Sequence, residues 1–357
     1  MHMADALLHP AVGAVMYAAT AATITVSAVK LKKDEEPAKL PTMAVTAALV
    51  FAGQMINYTI PGTGSSGHLC GGMLLSALLG PYAGFLSMAV ILAIQCLFFA
   101  DGGLLALGAN CWNMAFYGCF VGYFLIWRPI MRSKLFPKLG ERAAARVKVI
   151  LASILGCIVT LQLGAFSVVL ETGISGITEL PFGAFAALMQ PIHLAIGLVE
   201  GLITSAVLVF VLEARPELLQ ELNASERGIE NRRSLKTTLI VLAVVVVVVG
   251  GGLSLLASGN PDGLEWALFG NSEAGYSENM ALDEESFGVE SSAADTAAAV
   301  QERTAFLPDY AFADNDSAAG TVVSGLVGSA LVAVAAVGIA LAGGFFRRRK
   351  KKEAENR

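Results

Sequence analysis

Charge is scarce in this chain. Only 15% of its 357 residues are Asp, Glu, Lys or Arg, against about 25% in soluble globular domains. Fully 55% are hydrophobic, and the mean hydropathy is +0.65. That balance excludes an ordinary soluble domain, and a net charge of −5 gives no support for nucleic-acid binding. Cysteine is also sparse. Cys70, Cys96, Cys111, Cys119 and Cys157 are odd in number, form no C-x-x-C pair and lie mostly in apolar runs. They read as small buried apolar groups, with no disulfide framework. No G-x-x-x-x-G-K-[ST] phosphate loop is present, so nucleotide hydrolysis would have to come from another chain. H-E-x-x-H and C-x-x-C-H are absent too. The start lacks the basic region and cleavage site of a secretory signal, so Met1 is expected to be retained. The bulk of His2 also hinders methionine removal.

What is present is a series of apolar runs, at about 11–30, 40–57, 68–80, 82–100, 107–127, 148–170, 188–212, 237–256 and 321–346. The length suits about nine spans of ~20 residues. The fold class is therefore all-α: a polytopic transmembrane helical bundle of about seven helices plus two C-terminal helices. Lys30, Lys32 and Lys33 follow the first run. Arg128, Arg132, Lys134, Lys138, Arg142, Arg146 and Lys148 follow the fifth. Arg215, Arg227, Arg232, Arg233 and Lys236 lie between the seventh and eighth, and Arg347 to Lys352 close the chain. Nine crossings put all four clusters on one side, which basic flanks assign to the cytoplasm. The N-terminus then lies outside, the C-terminus inside, and the protein sits in the plasma membrane. Residues 257–320 are external, with 13 acidic residues and one basic, Arg303. Their Ala-, Ser- and Gly-rich composition reads as a largely disordered linker, or else as a weak cation-attracting antenna. Small residues four apart, at Gly80/Gly84, Gly118/Gly122 and Gly197/Gly201, permit close helix approach within the chain or to a partner.

The chemistry concentrates in histidines. At position 2, His2 offers three nitrogens to one metal: the Met1 amine, its own backbone nitrogen and its ring Nδ1. These close a five-membered and a six-membered chelate ring. His68, at the end of Pro61-Gly-Thr-Gly-Ser-Ser-Gly67, would supply a fourth nitrogen. Planar all-nitrogen coordination suits Ni(II) or Cu(II), and to a lesser degree Co(II), over Zn, Mg or Ca. The metal set is thus Met1, His2 and His68. Gln54, Asn57, Ser66, Asp101, Asn110, Asn113 and His193 are candidates to surround and orient it. His193 and Glu200 share one face of the seventh run, either as structural glue or as a cation step below the site. His9, before Pro10, reads as a spectator. Gly64-Ser-Ser-Gly67 also fits G-x-S-G, which leaves an alternative of an intramembrane serine protease using Ser66 and His193. A non-transporting membrane metal sensor is the third reading.

Several separated stretches, in order, resemble the CbiM/NikM family, the substrate-capture components of energy-coupling-factor transporters for cobalt and nickel. They are Met1-His2-Met3-Ala4-Asp5, residues 54–72, Leu79 to Gly84, Asp101 to Asn110 and His193 to Thr204. Pro261-Asp262-Gly263-Leu264-Glu265 resembles the PDGLE segment of NikN-like accessory proteins. The resemblance implies a capture domain over 1–215, a cytoplasmic linker over 216–236, a NikN-like segment over 237–346 with two transmembrane helices and an acidic external loop, and a basic tail over 347–357. It also implies metal binding through Met1, His2 and His68, a CbiQ/NikQ-like coupling protein and two CbiO/NikO-like cytoplasmic ATPases as partners. The ion is substrate, no cofactor is expected, and the chain itself is not an enzyme. Imported metal would serve cobalamin synthesis or nickel enzymes. Ligand chemistry does not choose between Ni(II) and Co(II), and the fused tail favours nickel slightly.

Overall fold

The computed structural model describes residues 1–31, 39–177, 179–222, 234–272, 280, 288–312 and 318–355. The helices are α1 (Pro10–Leu31), α2 (Lys39–Gln54), α3 (Gly72–Leu79), α4 (Pro81–Phe99), α5 (Leu107–Arg132), α6 (Glu141–Ile174), α7 (Phe182–Ala214), α8 (Leu235–Gly251), α9 (Gly263–Phe269), α10 (Ser292–Thr304) and α11 (Ala318–Glu355). One small hairpin, β1 (Tyr58–Ile60) with β2 (Ser65–Gly67), is paired antiparallel with Tyr58 opposite Gly67. Among the described residues, six helices are long and apolar enough to cross a membrane: α1, α4, α5, α6, α7 and the 318–339 part of α11. The chain is a multi-pass membrane protein. Shorter apolar helices, α2 and α8, accompany them.

The third apolar run is not one helix. Its first part is hairpin and extended chain, and only α3 is helical, eight residues or about 12 Å at 1.5 Å per residue. Gly80, at φ +82°, breaks α3 from α4, and Pro81 starts the next helix where its missing N–H costs nothing. Every residue of α3 is buried. The stretch nevertheless joins the two ends of the bundle. Ala77 and Leu78 carbonyls accept from the Gln220 amide (2.9 Å) and its side chain (3.2 Å). Next to it, Glu221 pairs with Arg128 and Arg132, and Glu213 with Arg142 (3.1 Å) and Arg146 (2.6 Å). Lys148 donates to the Met131 carbonyl at 3.0 Å. Basic side chains of the 128–148 loop thus gather at one end. Lys32, Lys33, Arg227, Arg232 and Arg233, and the side chains of 347–352, lie outside the described residues.

The small-residue pairs serve packing within the chain. A methyl built on Gly201 would stand 2.6 Å from the Ile154 Cα, and one on Gly197 would stand 3.0 Å from the Ile158 Cα, so α7 lies directly on α6. Gly118 of α5 meets the Gly72 Cα of α3 in the same way. α8 and α11 belong to this bundle as well. Gly328 sits on Phe51 of α2, and Gly250 faces Gly325 where α8 and α11 touch.

The acidic 257–320 region is not a loose linker over its described parts. α9 and α10 are regular helices, and the chain returns to the bundle repeatedly. The Leu307 amide donates to Phe98, and Tyr310 stacks on Phe99 at 4.8 Å. Gln301, nearly buried, donates to the carbonyls of Cys96 (3.1 Å) and Gly102 (2.8 Å). Composition gave too little weight to these few anchoring side chains. Residues 273–279, 281–287 and 313–317 lie outside the description.

Candidate metal site

The first three residues are held as firmly as a strand. Met3 N donates to Asn110 Oδ1 (2.8 Å), Asn110 Nδ2 donates back to Met3 O (3.2 Å), and Gly103 N donates to the same carbonyl (2.8 Å). The Asp101-Gly102-Gly103 turn makes room for this path. Gly102 has φ +77°, and a methyl on Gly103 would fall 1.8 Å from Asp5 Oδ1. Met1 and Met3 are consequently buried.

His68 arrives from the other side. Gly62 (φ +76°) and Gly64 (φ +72°) turn the hairpin, a conformation that costs glycine little. Beyond His68, the Glu200 carboxylate on α7 accepts from Cys70 N and Gly71 N, both at 2.9 Å. Gln54 Nε2 donates to Cys70 O (2.9 Å), and Gln54 Oε1 accepts from Gln95 Nε2 (2.9 Å). The result is that the imidazoles of His2 and His68 face each other, centroids 5.3 Å apart and planes 20° from parallel. Two residues 66 positions apart are thus brought side by side.

Two donors of that chelate have other partners in this structure. His2 Nδ1 lies 3.1 Å from Asp101 Oδ1, whose other oxygen accepts from Tyr310 at 2.5 Å. His2 Nε2 is buried and has no hydrogen-bond partner among the described residues. The Met1 amine donates to Asp262 Oδ2 at 2.7 Å, and the same oxygen is 3.8 Å from His68 Nε2. Burial works against the amine's charge, but Asp262 outweighs it and raises its pKa above the ordinary value. Burial would raise the Asp262 carboxyl, yet the amine and His68 hold it well below the usual carboxylate range. Burial, with His68 nearby, pushes His2 down to about 4 in spite of Asp101, so the ring is neutral at pH 7, with its proton on Nδ1 towards Asp101 and its lone pair on Nε2.

Asp262 is the residue that sequence reasoning left out of the site. Its two oxygens divide the work. Oδ1 caps α9, accepting from Leu264 N (2.7 Å) and Glu265 N (2.9 Å), while Glu265 accepts from Asp262 N (3.1 Å) in a capping box. Oδ2 is left to face Met1 and His68. The segment is docked on the hairpin. Ser66 donates from N to Pro261 O and from Oγ to Asn260 O, each 2.8 Å, and Asn271 donates to Gly64 O (2.8 Å). Ser258 N donates to the Asn57 carbonyl at 2.7 Å.

The other candidates fall into place around this. Asn113 donates to Glu171 (2.8 Å) and contacts the Met3 sulfur (3.5 Å), so it braces the start from below. Asn57 contributes its carbonyl, as above. His9 is exposed, and its Nδ1 accepts from Ala11 N at the start of α1. His193 is buried on α7 and lines a cavity of about 10 Å³ with Met1, His68, Cys70 and Asp262. No bond joins Ser66 to His193 among the described residues, since the serine hydroxyl is spent on the Asn260 and Pro261 carbonyls. No group of three His, Cys, Asp or Glu side chains is arranged around one point among the described residues. The expected donor set differs in kind, because two of its four nitrogens are main-chain.

Comparison with known proteins bears on this geometry. The sequence model of a family described as "Cobalt uptake substrate-specific transmembrane region" (CbiM) matches residues 2–218, and that of the PDGLE domain matches residues 236–343. A chain of Archaeoglobus fulgidus given the fused NikMN nickel transport name is 35% identical over 96% of this chain and 98% of its own length. A "Fused nickel transport protein NikMN" of Rhodobacter capsulatus is 33% identical over 95% of this chain and 96% of its own. A crystal structure described as a truncated transition metal transporter is 34% identical, covers 60% of this chain and 99% of its own, and superposes with a TM-score of 0.49.

Proposed function

Because the chain belongs to the CbiM family of cobalt uptake substrate-specific transmembrane regions and continues into a PDGLE domain, making it a component of nickel or cobalt transport, we propose that it is the metal-capture subunit of an ATP-driven energy-coupling-factor importer. The ion is taken at the end of the bundle where the N-terminus, the hairpin and α9 meet, and that end faces outward. The opposite end, with the basic side chains of 128–148, faces the cytoplasm, as basic flanks require. A transmembrane coupling protein and two cytoplasmic ATPases supply the energy, since the sequence contains no phosphate loop of its own.

The observation that carries this is the meeting of His2 and His68 beside the chain's own amine. Binding requires the Met1 amine to leave Asp262 and lose a proton, and the His2 backbone amide to give up its N–H proton as it coordinates. The His2 ring must also turn Nδ1 from Asp101 and carry its proton on Nε2 instead if it is to close the six-membered ring. Met1, the His2 amide and imidazole, and His68 then present four nitrogens to the ion, a set that favours Ni(II) with Co(II) close behind. Asn110 and Gly103 fix the backbone from which the chelate is built.

Titration of the purified chain with Ni(II) and Co(II) tests the proposal. One ion per chain is expected, and His2→Ala should abolish binding. Retained binding in His2→Ala would refute the site. Cells carrying the chain with its partners should accumulate metal, whereas a sensor would bind it without accumulation.

A further inference from the structure

The helix that follows the His68 loop is built as a separate piece. α3 is bounded by Gly71 at φ +85° and Gly80 at φ +82°, so a left-handed residue stands at each end of eight helical ones. Glycine takes that conformation with no Cβ penalty, and such a joint turns at small cost. The walls around α3 are bare as well. Gly72 lies on Gly118 of α5, Ser76 lies on Gly84 of α4, and the Met73 side chain covers Gly122 of α5 and Gly156 of α6. At these four points α3 rests against neighbouring backbone and not between interlocking side chains.

Each end is gripped by one residue, and both grips come from the same stretch of chain. At the site end, Glu200 of α7 takes the Cys70 and Gly71 amides that lead into α3. At the other end, just beyond α7, Gln220 donates from N to the Ala77 carbonyl (2.9 Å) and from Nε2 to the Leu78 carbonyl (3.2 Å). These are carbonyls that a helix leaves unpaired where it stops. The turn that carries Gln220 is tied in turn to the arginine end. Gln220 O accepts from Trp127 Nε1 (3.1 Å), and Glu221 accepts from Tyr123 (2.8 Å) and pairs with Arg128 and Arg132. Glu221 has φ +69°, a strained conformation for a residue with a side chain, so contacts hold this turn against its local preference.

We propose that α3 is a mechanical link between the two ends of the bundle. An ion bound at His68 fixes α3, and α3 fixes the Gln220–Glu221 turn, about 12 Å further along at 1.5 Å per helical residue. This rests on the metal-capture reading above. The link gives the arginine end a report of whether the site is filled, through one rigid element hinged at both ends and biased from either side. Helix capping alone would need the same hydrogen bonds but would be indifferent to the ion.

Hydrogen exchange of the full chain with its native start, read by mass spectrometry with and without Ni(II) alone, tests this. Nickel should slow exchange over residues 216–222 by at least about fivefold, the low end of ordinary coupling between sites, and leave 235–240 at the start of α8 unchanged. Gln220→Met keeps the length of the side chain and removes the donor to Leu78. In that variant the slowing should shrink to less than about twofold, and nickel should bind at least about fivefold more weakly, because coupling acts equally in both directions. If it does not yield folded protein, Gln220→Ala is read in the same way, and the wild-type exchange stands as a test by itself. Slowing confined to the residues around His2, His68 and Asp262, slowing spread equally over 235–240, or unchanged affinity in the folded variant would overturn the link and leave the capture site standing. A wild type that takes up no nickel would overturn both.

Discussion

Single side chains decide whether the chain start can serve as a chelator. Asp101 stands between Tyr310 and His2 and sets the azimuth of the imidazole. Because the ring must turn Nδ1 from Asp101 to chelate, Asp101→Asn should bind metal at least as tightly in calorimetric titration, with little change in thermal unfolding; binding weaker by about 10-fold would mean that the carboxylate is needed to orient the ring. Asp262 sets the proton cost. Because it raises the pKa of the Met1 amine, the amine is charged at neutral pH and metal must displace a proton. The ion pair stabilises the fold below the amine's ordinary pKa and is lost as pH rises through the raised one. Metal affinity should move oppositely, climbing over the same alkaline range. In Asp262→Asn the amine's pKa falls and the climb should shift to lower pH, and identical pH profiles for the two proteins would contradict the pair. That Met1, His2 and His68 would meet was legible because position 2 has its own chelate chemistry. Asp262 was not added to them, although Asp262-Gly-Leu-Glu265 has the spacing of a capping box. A carboxylate 261 residues from its amine partner has no local signature; only the folded chain puts them 2.7 Å apart.

At the scale of elements, periodic apolar runs gave the long helices because one stretch of hydrophobic side chains suffices to specify a span. The run at 68–80 misled for the same reason. Burial inside the bundle makes an extended segment as apolar as a helix, so composition alone does not distinguish them. Its partner groups settle the matter: Glu200 takes the Cys70 and Gly71 amides that a helix would have left to its own turn. The glycine spacing on α7 was legible as close packing, and α6 proves to be what it packs on. Gly201→Val should cost about 1–3 kcal/mol, since the Ile154 backbone 2.6 Å away cannot yield as a side chain would. Thermal unfolding in detergent would check this, and a variant as stable as wild type would show that α6 and α7 can separate freely. Acidic composition suggested disorder for 257–320, yet α9, Gln301 and Tyr310 pin the described parts onto the bundle through a handful of contacts that no average over the segment reveals.

In the molecule as a whole, the described helices of the two matched regions pack into one bundle. α8 and α11 pack on α2, and the segment between them caps the hairpin that bears His68. The contacts segregate into two ends, one with His2, His68 and Asp262, the other with Gln220, Glu221 and the arginines of the 128–148 loop. That polarity is what the proposed capture subunit would need to meet its ion on one side of a membrane and its motor on the other. All of it depends on the chain's first nitrogen acting as a ligand. Isothermal titration of Ni(II) into the native-start protein and into the same protein with one residue added before Met1 tests this most directly. The extended chain should bind weaker by orders of magnitude, because it loses a ligand and a chelate ring together. Equal affinities would contradict the account.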